Sequence, residues 1–560
     1  MSSIDEIRDA RIKKLKLLRE KGMDPYPADS KRELSLKEAS DKFESLEQSK
    51  ETKWLSGRVM SIRGQGAIVF ITLNDGTGLF QGLLKKDVLG EEKLNFWSEV
   101  VDIGDFVELQ GTFFKTTRGE KTLEVKDWRM LSKSLRPLPE KWHGLQDIEE
   151  RYRKRYLDIL MNPELKALFE KKAKFWDVVR NFMKEKGFLE VETPTLETTT
   201  GGAEATPFKT HHNDYDLDVY LRISIGELWQ KRLMAAGFPK TFEIGRAYRN
   251  EGTSPEHAQE FTNMEFYWAY ANYNDGMELV REMYIKIAKD LFGTTKFTSH
   301  GHTFDLASKW ELVDYGAKIQ EMTGIEILTA NEEEMKKKLD ELGVKYVGEN
   351  KERLTDSLWK YCRKNISGPA FLVNHPLLVA PLAKSNSGKG TVQMFQPLIA
   401  GSEVGRGYSE LNDPLDQEER FEVQQKLIEG GDTEAMMADH EFVEMLEYGM
   451  PPTCGFGFGE RLFAILADKP LRETQLFPLM KPEEKNAKPK NKKTMMAVAV
   501  LNKEVKMEPW QELNTIAHLN AAFGARVGRG ELFTRDTIVT KDNQKIKLNV
   551  KNAIMIKTAP

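Results

Sequence analysis

At 560 residues, with 40% hydrophobic and 30% charged side chains, the chain exceeds what one hydrophobic core organises and predicts two or three domains. No apolar run approaches the roughly 18 residues a membrane span needs, and MSSIDEIRDARIKKLKLLREKG mixes both charge signs where a secretory leader would be apolar. A net charge of -4 excludes a chain that is basic throughout, while Cys362 and Cys454 lack CxxC spacing and support neither a disulfide framework nor structural zinc, so a reducing cytoplasm is the expected compartment.

Residues 1–50 read as a helical appendage: amphipathic helix, turn (DPYPADS) and helix, with Lys/Glu pairs on the polar faces. Residues 51–134 change to short β-rich runs such as WLSGRVMSIR, AIVFITLND and FVELQGTFFKT, parted by turns such as NDGTG. Five short strands in this length predict a small barrel such as an OB-fold. The proline-containing stretch 135–147 reads as a linker. Residues 148–481 mix long helical patterns with strand-like runs, which predicts a large α+β domain. A basic linker, 482–494, then precedes a 495–560 extension, read as a small α/β module of strand, helix (LNTIAHLNAAFGA) and strands. Its His518 is expected to pack a helix. The basic runs RYRKR (151–155) and KPEEKNAKPKNKK (481–493) suit phosphates, or equally a solvated helix face and a linker.

Two segments carry chemistry. TFEIGRAYRNEGTSPEHAQEFTNMEFYWAY, 241–270, alternates on both sides of a polar loop as two antiparallel strands do. Arg249, Glu251 and His257 would face one site, Arg offering planar contacts to phosphate and Glu a reader for an adenine amino group; surface pairing is the competing reading. PPTCGFGFGERLFAIL spaces its glycines for close backbone approach before Arg461 opens an apolar helix. It lacks GxxxxGK[ST], and the context is wrong for a dinucleotide fingerprint.

With GFLEVETPTL ahead of them, these segments resemble, in order, the three signature motifs of class II aminoacyl-tRNA synthetases. RPLPEKWHGLQDIEERYRKRYLDIL, GGAEATPFKTHHNDYDLDVYLRIS and GYSELNDPLDQEERF further resemble the bacterial-type lysyl-tRNA synthetases, and the preceding barrel resembles the lysine, aspartate and asparagine subgroup. The resemblance implies an antiparallel-sheet catalytic domain, ATP and Mg²⁺, tRNA(Lys) and L-lysine as partners, and a homodimer with Pro194 near its interface. It assigns Arg249 to the ATP α-phosphate, Arg461 to the distal phosphates, Glu251 and His257 to adenine and terminal phosphate, and Phe261 to stacking on adenine. Glu403 joins the ATP set and, with Glu410 and Gln396, forms the candidate metal set. Gln396 stands where the family carries an acid, and a neutral amide is a weaker ligand for hard Mg²⁺.

The implied lysine pocket is Gly202, Glu227, Glu265, Tyr267, Tyr408 and Glu410. Carboxylates suit an ammonium taken out of water, whereas an aspartate pocket would need the opposite sign. The competing reading pairs these glutamates with structural arginines. Arg406 stands where bacterial lysine enzymes usually carry Asn; it either turns outward or alters what the pocket accepts. SIGEL has one residue more, and GFGFGER one fewer, than the usual segments. In the barrel, Phe70 and Gln81 match residues that stack on and hydrogen-bond to the central anticodon base, a uridine, while a core phenylalanine is the plainer alternative. An aspartyl- or asparaginyl-type enzyme, a synthetase-like enzyme with a non-tRNA acceptor, and a silent RNA-binding paralogue complete the set of readings.

Overall fold

The computed structural model describes residues 3–482 apart from 65, 140–144, 204, 253, 255, 256, 347, 349, 389 and 432–434, and beyond 482 only five short strands. The chain divides into two compact units, Met1–Pro478 and Leu479–Pro560.

In the first unit, β1 (Lys53–Arg63), β2 (Ile68–Asn74), β3 (Leu79–Lys85), β4 (Phe106–Lys115) and β5 (Lys121–Ser132) close a barrel in the order β1-β2-β3-β5-β4. Alternation turns Val69, Ile71 and Leu73 of β2 inward, with Leu55, Val107 and Leu123 from neighbouring strands. Helix Glu91–Val100 adds Leu94 and Trp97 to the same core. The expected N-terminal helices form at Ile4–Glu20, Leu36–Asp41 and Phe43–Ser49, the first two opened by Ser3/Glu6 and Ser35/Glu38 capping boxes. Rather than hanging free, this segment buries Leu18, Leu36 and Phe43 against the barrel. Each such side chain contributes about 1.5–3 kcal/mol of apolar burial.

The larger sheet carries the remaining chemistry. After the long helix Pro163–Glu185 come β6 (Leu189–Glu190), β7 (Leu196–Glu197), β8 (Lys209–His212), β9 (Leu217–Leu221), β10 (Lys240–Tyr248) and β11 (Glu260–Ala269). Then follow β12 (Lys296–Ser299), β13 (His302–Asp305), β14 (Glu311–Asp314), β15 (Ala370–Val373), β16 (Met394–Ile399), β17 (Ser402–Glu403), β18 (Arg406–Ser409) and β19 (Thr453–Gly459). The sheet runs β14-β15-β16-β18-β19-β11-β10-β6, with β17 paired to β16; the four central pairings from β16 to β10 are antiparallel. β7, β9 and β8 form a small separate sheet. The 241–270 segment is a long hairpin, with Glu243 opposite Glu265 and Ala247 opposite Phe261.

One face of this sheet is aromatic. Met264, Phe266, Phe395, Phe456 and Phe458 are buried together under helix Tyr273–Phe292, and the Phe395 and Phe456 rings stack 5.4 Å apart. Their sequence neighbours therefore point to the opposite face. In the second unit, β20 (Ala497–Ala499) pairs with β24 (Ala553–Met555), and β21 (Lys506–Glu508), β23 (Gln544–Asn549) and β22 (Ile538–Lys541) form a three-stranded sheet. The expected helix around His518 and the basic stretch 483–493 lie outside the described residues.

Candidate active site

The face opposite the aromatic layer opens into a cavity of about 330 Å³. Its walls are built by alternation on three adjacent strands. β11 presents Asn263, Glu265 and Tyr267; β18 presents Arg406 and Tyr408, continuing to Glu410; β19 presents Gly455, Gly457 and Gly459 while Phe456 and Phe458 pack beneath. The three glycines are required by space. A Cβ would fall 2.6 Å from the Tyr267 ring at Gly455, 2.7 Å from Glu265 Cγ at Gly457 and 2.1 Å from Asn263 Oδ1 at Gly459. The GFGFG run thus clears a strip across which β11 side chains lie.

Every site residue expected in the catalytic domain lines this one cavity: Gly202, Glu227, Arg249, Glu251, His257, Phe261, Glu265, Tyr267, Gln396, Glu403, Tyr408, Glu410 and Arg461. The cavity is bipolar. Glu227, Glu265, Glu410, Tyr267 and Tyr408 gather at one end, where Tyr408 Oη donates to Glu227 and Tyr267 Oη to Glu265 at 3.4 Å. Burial first, and the neighbouring carboxylate Glu227 second, push Glu265 up from the ordinary carboxylate range. Glu410 is likewise pushed up by burial, against the pull of a nearby cation.

That cation is Lys231, which the motif reading did not single out. It is 1% exposed, with Nζ 3.0 Å from Glu227 Oε1 and 2.6 Å from Glu410 Oε2. Two glutamates of the expected lysine pocket therefore already share a structural cation, a lysine where arginines had been the suggested alternative. The signal was legible: Glu227 and Lys231 stand four apart on helix Glu227–Ala235. An ammonium this close would compete with a divalent ion for Glu410.

Arg249, Arg406 and Arg461 also line the cavity. Arg249 donates Nε–H to Ile223 O at 3.2 Å, and its guanidinium lies 5.2 Å from the Phe261 ring centre. Burial lowers its pKa, Glu251 and Glu265 oppose that shift, and Arg406 and Arg461 add to it. Arg406 is exposed yet lines the cavity, so it is not turned away from the pocket. His257 shares a 2.7 Å hydrogen bond with Ser254 Oγ. Arg461 Nη1 donates to Glu403 O at 3.5 Å.

Support comes from residues distant in sequence. Glu460 accepts Thr262 N–H at 2.9 Å and Lys172 Nζ at 2.6 Å, clamping β11, β19 and helix Pro163–Glu185 just before Arg461. Trp359 Nε1 donates to Glu403, and His375 Nε2 lies 2.8 Å from Gln396 Oε1. Burial drives His375 down to about 3, so it is neutral there. Gly226, in the SIGEL insertion, takes φ +63 at the helix start, where a Cβ would meet Thr193 Oγ1 at 2.0 Å. No local pattern announces the Trp359 and His375 contacts.

On the barrel, Phe70 and Gln81 lie outward on β2 and β3. Phe70 is half-buried and stands outside the barrel core, opposite Leu83, while Gln81 faces Thr72. Gln81 donates to Thr122 Oγ1 at 2.8 Å and accepts from Arg63 Nη2 at 3.1 Å.

A glycine-striped antiparallel sheet with arginines at one end of its cavity, behind a closed five-stranded barrel, belongs to a defined class. The chain is a member of the class II tRNA synthetases, in the group for Asp, Lys and Asn, whose family model matches residues 147–481; the OB-fold nucleic acid binding domain matches 53–131. Within that class its similar proteins are lysine–tRNA ligases. The Thermotoga maritima ligase is 43% identical over 488 residues, covering 86% of this chain and 97% of that protein. Those of Roseiflexus sp. strain RS-1 and Halalkalibacterium halodurans are 41% and 40% identical, each over 86% of this chain and 100% and 98% of their own lengths.

Proposed function

We propose that the chain is a lysine–tRNA ligase that activates L-lysine with ATP and transfers it to the 3′ end of tRNA(Lys). The observation that carries this reading is the bipolar cavity. Its acidic, phenol-lined end suits the ammonium groups of lysine, and its guanidinium end suits carboxylate and phosphate. An aspartate side chain would meet like charge at the acidic end.

In the proposed reaction a lysine carboxylate oxygen donates its electron pair to the α-phosphorus of ATP, and the bond to pyrophosphate breaks. The nucleophile is already ionised, so no general base is needed; positioning and charge stabilisation carry the step. Arg249 stabilises charge on the α-phosphoryl oxygens, Arg461 binds the distal phosphates, Phe261 stacks on adenine, and Glu251 and His257 hold the adenine amino group and terminal phosphate. The ribose hydroxyl of the tRNA 3′ end then attacks the adenylate carbonyl and releases AMP. Phe70 and Gln81 would read the anticodon by stacking and hydrogen bonding.

Mg²⁺ fits beside Glu403 and Gln396, which offer hard oxygen donors on the cavity wall. Among the described residues no group of three His, Cys, Asp or Glu side chains has metal-binding geometry, so phosphate oxygens and water would complete the shell. When bound, the ion supplies Lewis-acid neutralisation of phosphate charge. A homodimer is proposed at Pro194, which lies between Leu189 and Leu196, each 51% exposed. No described helix is long and apolar enough to cross a membrane, and the buried free thiols Cys362 and Cys454 suit a reducing cytoplasm.

Amino-acid-dependent ATP/pyrophosphate exchange tests this reading across all twenty amino acids. Exchange with lysine alone is expected, whereas exchange with aspartate or asparagine, or none, would overturn the pocket assignment.

A further inference from the structure

A second concavity, of about 740 Å³, runs along helix Lys351–Arg363 and has no part in the roles above. Three segments wall it: one face of the helix, the preceding loop with Lys345 and Tyr346, and Gly430 and Gly431 at the end of helix Pro414–Glu429. On the helix, Arg353, Asp356, Lys360 and Lys364 recur at three- and four-residue steps, a stripe of roughly 16 Å.

The groove is basic. The sequence from 345 to 364 carries six basic residues against three acidic ones. Asp356 is held by Lys360 at 2.6 Å, and Arg353 has partners of its own. Lys345, Arg363 and Lys364 also line the groove, and none of the three makes an ion pair with a described residue. Arg363 Nε is buried with no hydrogen-bond partner among the described residues. A basic last turn complements a helix C-terminus, but Lys345 comes from the loop before the helix and has no such role. Tyr346 and Tyr361, both half-buried, pack against the apolar core and also line the groove. Cations beside aromatic rings, in a cavity of small-molecule size, suit a phosphate joined to a base.

The same helix also holds a wall of the catalytic cavity. Trp359, 1% exposed, donates Nε1–H to the Glu403 carboxylate. One turn further on, Arg363 Nη1 donates to Gly401 O at 3.0 Å, in the turn between β16 and β17 that leads to Glu403. A guanidinium that lines the groove thus holds the backbone two residues before a carboxylate of the catalytic cavity.

We propose that this groove is a second ligand site, which binds a free nucleotide with its phosphates on Lys345, Arg363 and Lys364 and its base against the tyrosines, and that its occupancy shifts the Glu403 wall of the catalytic cavity. The coupling rests on the ligase reading above; the binding does not. A free nucleotide is favoured over an RNA strand because the cations and rings converge in one walled cavity.

The test is calorimetric titration of the full-length protein with GDP, whose base lacks the amino group assigned to Glu251, after the catalytic cavity is filled with a non-hydrolysable lysyl-adenylate analogue. One further GDP site is expected. The double variant Lys345→Gln, Lys364→Gln changes two exposed side chains, so it should bind the analogue alone like the parent and bind GDP about 10-fold or more weakly. Saturating GDP should shift the analogue's affinity roughly 5-fold or more in the parent and leave it unmoved in the double variant. No GDP binding to the filled parent, or equal binding by the double variant, overturns the site. A short single-stranded RNA that binds far more tightly than GDP, with the same sensitivity to the double variant, overturns the free-nucleotide assignment in favour of RNA. An affinity shift that persists in the double variant is competition at the catalytic cavity and overturns the coupling. Failure of the analogue to bind the parent would instead sink the ligase reading, leaving GDP binding by parent and double variant to decide the groove.

Discussion

The barrel and the catalytic sheet use one device, the two-residue alternation of a β-strand, to different effect. On β2 the inward residues Val69, Ile71 and Leu73 fill the barrel, and the outward Phe70 meets solvent beside Gln81. On β11 and β19 the same alternation puts Phe266, Phe456 and Phe458 into a core, while Glu265 and Tyr267 face a concave cavity. The barrel surface around Phe70 is open, so its binding would come from stacking. In the cavity, burial together with neighbouring carboxylates raises Glu265 and Glu410 and makes the placement of each cation decisive.

The sharpest break of this contrast is Lys231→Met. Leaving Glu227 and Glu410 buried without their shared cation is expected to cost about 3–5 kcal/mol of stability, read by urea unfolding. An unchanged midpoint would mean that the acidic end is not held by buried charge. Arg249→Ala is expected to lower lysine-dependent pyrophosphate exchange by roughly 10²- to 10³-fold without shifting the unfolding midpoint, and retained exchange would remove its proposed role.

Phe70→Ala probes the open surface. Loss of one stacked base, about 1–3 kcal/mol, should raise the KM for tRNA with exchange untouched; a parallel loss of exchange and stability would make Phe70 a packing residue. The smallest effect is expected at Glu197, which burial pushes up to about 7 despite the hydrogen bond from Trp229 Nε1 at 3.0 Å. Its folded pKa exceeds the ordinary glutamate value. Its contribution to stability is therefore full below about pH 4.5 and is lost as pH rises through about 7. Glu197→Gln should gain about 1–2 kcal/mol over the parent at pH 8 and nothing at pH 4.5; an equal difference at both pH values would refute the buried-acid account.

Much of this architecture was legible in the chain, because alternation and glycine spacing are local properties. They suffice for the five barrel strands and the 241–270 hairpin; that the glycine run is a strand emerges from the structure, and the grouping of the site residues came from the resemblance of the motifs to class II aminoacyl-tRNA synthetases. What only the tertiary structure decided is how those residues are paired and shielded. Lys231 lies between acids from helix Glu227–Ala235 and from the segment after β18; Trp359 and His375 reach Glu403 and Gln396 from helix Lys351–Arg363 and from the segment after β15; and the N-terminal helices complete the barrel core. Each depends on contacts between residues far apart in sequence and on exclusion of water, and neither is encoded in the periodicity of any one segment.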